Sequence, residues 1–129
     1  MAGNNYLLDT NIVVAILNQE AGLEQHLIGN NAYLSTVVLG ELYYGAQNSA
    51  RAADNLKKIE TFMASCAFLD CDKQTAVEYS NIRLQLKVKG RPIPENDIWI
   101  AAAARQHGLT LVSRDEHFKE VNGLLLEKW

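Results

Sequence analysis

Residues 97–107 read DIWIAAAARQH, apolar for seven consecutive positions after Asp97, four of them successive alanines. A helix that is apolar around its whole circumference has no face for water, so this one belongs inside the fold. Gly108 can close it, and a short apolar strand, LTLV (109–112), follows at once. The rest of the chain repeats that order. YLL (6–8), AYLS (32–35), AFL (67–69) and LLL (124–126) are short continuous apolar runs, the pattern of strands covered on both faces. Helical segments separate them. IVVAILN follows a cap at Thr10 or Asn11. A second helix follows a cap at Ser35 or Thr36 and carries Val38, Leu39, Leu42 and Tyr43. Residues 50–64 are amphipathic, with Leu56, Ile59, Phe62 and Met63 on one side. KQTAVEYSNIRLQLKVK runs from an Asp72 cap to Gly90, and the two prolines of RPIPEN (91–96) predict a loop. This alternation predicts one α/β domain over residues 1–129: helices on both faces of a central, mostly parallel sheet of about five short strands, a three-layer α/β/α arrangement.

Composition narrows the function classes. A net charge of −3 excludes a surface coated in basic residues, but a local basic patch can still take nucleic acid. Two isolated cysteines, Cys66 and Cys71, are too few for a zinc site and fit a reducing, cytoplasmic setting. No apolar run reaches membrane length, and MAGNNYLLDTN has no signal-peptide pattern. His26, His107 and His117 are scattered without ligand spacing, and the sequence assigns them no role.

Acidic residues mark the ends of the most apolar elements. Asp9 follows the first strand, Asp115 lies three residues past Val112, Asp97 begins the apolar helix, and Glu41 sits within VVLGELYYG. Parallel strands all end on one edge of a sheet, and ligands of open α/β folds bind beyond that edge. Taken singly, an Asp after a strand is usually a turn former or helix cap. Glu41 is harder to dismiss, because a charge among apolar residues needs a partner. Unit charges about 4 Å apart repel by roughly 4 kcal/mol at an effective dielectric near 20. Four carboxylates at one edge therefore call for a cation, and oxygen donors point to Mg²⁺ or Mn²⁺ rather than zinc.

LLDTNI, GELYYGA, NDIWIAAAA and LVSRDEHF, in that order, resemble the PIN-domain nucleases, and more narrowly the VapC toxins of type II toxin–antitoxin systems. The resemblance runs from Asp9 to the last strand. It implies a PIN domain whose acidic quartet is Asp9, Glu41, Asp97 and Asp115, with Asn11 and Ser113 supporting the site. Asp9, Asp97 and Asp115 are the expected metal ligands, and Glu41 an orienting residue or a ligand of a second ion. Glu95 and Asn96, beside Asp97, read as solvated loop residues, with an outer contact to the site as the alternative for either. The implied activity is metal-dependent endoribonuclease cleavage that arrests translation, by a toxin that forms homodimers and hetero-oligomers with a VapB-like antitoxin.

An acidic protein that cuts RNA needs local positive charge. Arg83, Lys87, Lys89 and Arg91 precede Asp97, and Arg114 adjoins Asp115, so these are the candidate phosphate contacts. Arg51, Lys57 and Lys58 read as plain surface. Tyr43, Tyr44, Phe62 and Met63, within the helical segment that clamps the antitoxin in the family, are the candidate partner surface. Two other classes compete: a PIN-like nuclease of RNA processing with no antitoxin, and a non-catalytic nucleic-acid-binding module whose acids only cap helices. An aspartyl phosphatase fits less well, because DTN lacks a second Asp two residues on.

Overall fold

The computed structural model describes residues 3–129. Its strands are β1 (Asn5–Leu8), β2 (Asn31–Ser35), β3 (Ala67–Leu69), β4 (Thr110–Val112) and β5 (Leu125–Glu127). Its helices are α1 (Thr10–Leu17), α2 (Thr36–Gln47), α3 (Ala52–Met63), α4 (Lys73–Lys89) and α5 (Glu95–His107), with 3₁₀ turns at Glu24–Leu27 and Glu116–Glu120. The sheet order is β3-β2-β1-β4-β5, and all four pairings are parallel. The chain therefore builds outward from β1 to β3, then returns across the sheet to β4. Right-handed crossovers put α1, α2 and α3 on one face and α4 and α5 on the other, giving three layers. The helices within each set pack together accordingly.

Burial follows this plan most closely at the centre. Leu7, Leu8, Leu111 and Val112 of the two middle strands are fully buried. The edge strands depart from the expectation of strands covered on both faces: Phe68 of β3 and Leu125 of β5 are 43% and 58% exposed, because neither has an outer neighbour. Helix α5 is the buried helix its composition predicts, with Ile100, Ala101, Ala102 and Ala104 wholly inaccessible. A larger side chain there has no free space to enter. Ala102→Leu should lower unfolding stability by about 1–3 kcal/mol, read from the urea midpoint, and an unchanged midpoint would mean that α5 is loosely packed.

Helix ends bear out some of the sequence signals and correct others. Ser35 caps α2, Asp72 and Thr75 form a capping box on α4, and Gly90 and Gly108 end α4 and α5 in the left-handed region at φ 72° and 64°. The cap of α1 is Asp9 itself, one residue before the expected Thr10 and two before Asn11. The loop expected at 91–96 ends early, since Pro94 caps α5 and Glu95 and Asn96 form its first turn. A proline tolerates that position because its missing N–H would have no helical partner, while its carbonyl accepts from Asp97 and Ile98 N–H at 3.0 and 3.2 Å. Asp97 thus stands inside the first turn, not at the cap.

Candidate active site

The chain reverses its direction of sheet growth between β1 and β4, and their carboxyl ends form the crevice where such folds take ligands. Asp9 leaves β1 there. Its N–H donates to the Val112 carbonyl at 2.9 Å, which ties the exit of β1 to the end of β4. Its carboxylate accepts from Thr10 N–H at 2.8 Å and from Ser113 Oγ at 2.7 Å. Ser113 Oγ in turn accepts from the Asp115 N–H at 3.0 Å, so one hydroxyl sets both Asp9 and the turn that carries Asp115. Asn11 Oδ1 accepts from Arg114 N–H at 3.4 Å and braces the same turn.

Glu41 reaches this edge from α2. Its two oxygens accept from Thr10 Oγ1 at 2.5 Å and from Asn96 Nδ2 at 3.2 Å. These are the partners that its apolar sequence surroundings demanded. Asn96 is exposed, and it makes the outer contact to an acid of the site that the sequence left open. Glu95 turns away, to Tyr79 and Arg83.

The acids sense one another. Asp9 is only 3% exposed, and burial pushes its carboxyl up to about 6; the charges of Asp97 and Glu41 add to this, against the bonds from Ser113 and Thr10. Burial also raises the Asp97 carboxyl, with Asp115 and Glu41 adding repulsion and His117 opposing it. Among the described residues, none of the four acids forms an ion pair with a lysine or arginine. Converging carboxylates without a lysine or arginine among them are the donor set of a hard divalent cation. That set fits Mg²⁺ or Mn²⁺ by its oxygen chemistry.

The structure also brings in a residue that the sequence left without a role. His117 Nδ1 lies 3.3 Å from Asp97 Oδ2 and 3.8 Å from Asp115 Oδ1. One ligand-capable atom from each of these three residues lies within 4.8 Å of the others. The available signal was D-x-H followed by an aromatic. Phe118 is 1% exposed, and its burial leaves Asp115 and His117 on the site side of the turn.

The candidate phosphate contacts are scattered. Arg114 forks onto Glu20 and donates to the Trp129 carbonyl at 3.1 Å, although it adjoins Asp115 in sequence. Arg83 pairs with Glu95 at 3.1 Å, and Lys89 with Glu120 at 3.2 Å. Lys87 and Arg91 are exposed. Lys58, expected as plain surface, lines a groove of about 340 Å³ together with Thr10 and Glu41, because α3 folds back onto α1 and α2. Of the candidate partner surface, Tyr44 is 71% exposed, while Tyr43, Phe62 and Met63 are half-buried against the core. Among the described residues, no helix is long and apolar enough to cross a membrane.

Comparison with known proteins agrees with this geometry. The PIN domain profile matches residues 6–124. The chain is 38% identical over 128 residues to "Ribonuclease VapC2" of Haemophilus influenzae, covering 96% of this chain and 97% of that one. It is 37% identical over 128 residues, with the same coverage, to "tRNA(fMet)-specific endonuclease VapC" of Shigella flexneri. Among solved structures, the crystal structure of VapBC2 from Rickettsia felis bound to a DNA fragment from their promoter superposes with a TM-score of 0.91 at 31% identity, covering 97% of this chain and 98% of that one.

Proposed function

Because the chain belongs to the PIN-domain family, with VapC ribonucleases as its relatives, we propose that it is the toxin of a VapBC-type toxin–antitoxin pair: a Mg²⁺- or Mn²⁺-dependent endoribonuclease that arrests translation. The observation that carries this reading is the convergence of Asp9, Glu41, Asp97 and Asp115 at the carboxyl edge, with no lysine or arginine paired to them among the described residues. A non-catalytic module has no use for two carboxylates held in burial, where each is costly to ionise.

In this reading Asp9, Asp97 and Asp115 hold the cation. Ser113 fixes the carboxylate of Asp9, and Thr10 and Asn96 hold that of Glu41. When bound, a divalent cation there supplies a Lewis acid that lowers the pKa of water and neutralises charge growing on a phosphodiester. The burial of Asp9 and Asp97 themselves limits screening of their charge by bulk water. Asn11 and Ser113 hold the turn that presents Asp115.

The substrate is RNA. The relatives named tRNA(fMet)-specific endonucleases make initiator tRNA the first one to try. The partner is a VapB-like antitoxin seated on the α2–α3 arm beside Tyr44, in a homodimeric toxin's hetero-oligomer. Similarity to solved VapBC structures supports this reading.

The experiment is incubation of the purified protein with total RNA and with initiator tRNA, and mapping of the cut ends. Cleavage should require Mg²⁺ or Mn²⁺, stop in EDTA, and be suppressed by the product of the adjacent short reading frame. Full cleavage in EDTA would sink the metal mechanism. Cleavage that no adjacent gene product suppresses would favour a PIN nuclease of RNA processing.

A further inference from the structure

We propose that His117 is a protein ligand of the metal, its Nδ1 joining oxygens of Asp97 and Asp115, and that this nitrogen makes the centre prefer Mn²⁺ over Mg²⁺. The inference rests on the metal-nuclease reading above and goes beyond it. It adds a donor outside the acidic quartet and assigns that donor the choice of ion.

The geometry is that of an ion's coordination edges. Neighbouring ligands of an octahedral ion with bonds of about 2.1 Å lie about 3 Å apart, and opposite ligands about 4 Å apart. His117 Nδ1 stands 3.3 Å from Asp97 Oδ2 and 3.8 Å from Asp115 Oδ1, and all three ligand atoms lie within 4.8 Å. An ion can enter between them with small side-chain rotations.

The backbone holds this arrangement from below. His117 lies in the 3₁₀ turn Glu116–Glu120, directly before buried Phe118, whose carbonyl accepts from Val121 N–H at 3.2 Å. Asp97 comes from the first turn of the buried helix α5. Two well-packed elements therefore set the distance between His117 and Asp97, although the imidazole itself is 49% exposed. Exposure on that side leaves room for water or a phosphate to complete the coordination.

A hydrogen bond to Asp97 alone would satisfy one carboxylate and predict no ion preference. The position of Nδ1 between two carboxylates is what argues for a ligand. Donor chemistry then sets the choice of ion. Mg²⁺ holds oxygen ligands and dehydrates reluctantly, whereas imidazole nitrogen favours first-row transition ions. The two carboxylates beside the imidazole, Asp97 and Asp115, keep the site hard enough for Mn²⁺.

The test needs no RNA. Mn²⁺ is added to the wild-type protein, and the bound ion is examined by electron spin-echo envelope modulation, which detects a directly coordinated ¹⁴N. Competition calorimetry with Mg²⁺ runs in parallel. Wild type should show ¹⁴N modulation and bind Mn²⁺ more tightly than Mg²⁺. His117→Ala should lose the modulation and about tenfold in Mn²⁺ affinity while its Mg²⁺ affinity barely changes. His117→Asp, which replaces nitrogen with oxygen, should restore binding and reverse the preference. Bound Mn²⁺ without ¹⁴N modulation in wild type would overturn the His117 assignment and leave the metal nuclease standing. No Mn²⁺ or Mg²⁺ binding at all would overturn both.

Discussion

Asp97→Asn should leave a folded protein and reduce RNA cleavage by more than about a hundredfold, with loss of toxicity on expression. The folded half of this expectation comes from the start of α5. Pro94 caps that helix and its carbonyl accepts from the Asp97 and Ile98 N–H, so the Asp97 side chain supplies no cap that Asn would have to replace. Asn is also nearly the same size, so the buried first turn keeps its packing. The lost half comes from charge. Asp97 is 9% exposed, lies 3.3 Å from His117 and feels both Asp115 and Glu41, so it stands at the centre of the cluster. Removing one negative ligand there costs more than the ten- to hundredfold typical of losing an outer hydrogen bond to a metal ligand. Cleavage of initiator tRNA and a thermal melt, measured on the same preparation, check both halves. Normal cleavage would remove Asp97 from the ligand set, and an unfolded variant would make it a structural residue of α5.

Asp9→Asn should move stability and activity in opposite directions. Burial holds the Asp9 carboxyl at about 6 in the folded chain, against an ordinary value of 3.8. The folded state therefore binds the proton more tightly than the unfolded state. In chelator, stability should fall as pH rises from about 4 to about 6, and remain lower by about 3 kcal/mol above that range. Asn carries no charge to desolvate. The variant should be more stable than wild type at pH 8 in EDTA by on the order of 1–3 kcal/mol, show no such gain at pH 4, and fail to cleave RNA. Urea titrations at the two pH values give the comparison. An equal difference at both would show that the charge of Asp9 carries no folding cost.

The sequence exposed Asp9, Asp97 and Asp115 because each stands near an element boundary, and Glu41 because it is a charge inside an apolar helical run. What it could not expose are relations between distant elements. His117 is twenty residues from Asp97 and meets it only because the turn after β4 folds back over the start of α5. Lys58 lies on an ordinary amphipathic helix, and its place near Glu41 arises from how α3 packs on α1 and α2. Arg114 misleads in the opposite way. It neighbours Asp115 in the chain, yet its guanidinium goes to Glu20, 94 residues earlier. Local propensity also overstated the burial of β3 and β5, since an apolar run does not reveal whether its strand lies at an edge.

The bond from Ser113 to Asp9 spans 104 residues, and the carbonyl that Asp9 N–H needs belongs to Val112. Contacts of such long sequence separation form late, after the chain entropy of closing the loop has been overcome. On a ribosome the consequence is temporal. While β1, α1 and α2 are already made, the strand that must slot in beside β1 is still untranslated, and Asp97, Ser113 and Asp115 are missing with it. A nascent chain therefore lacks the assembled acids for most of its synthesis, and a prematurely terminated one never acquires them. Until β4 and the turn after it have been made, the chain carries Asp9 without the Val112 carbonyl and the Ser113 hydroxyl that hold it in place.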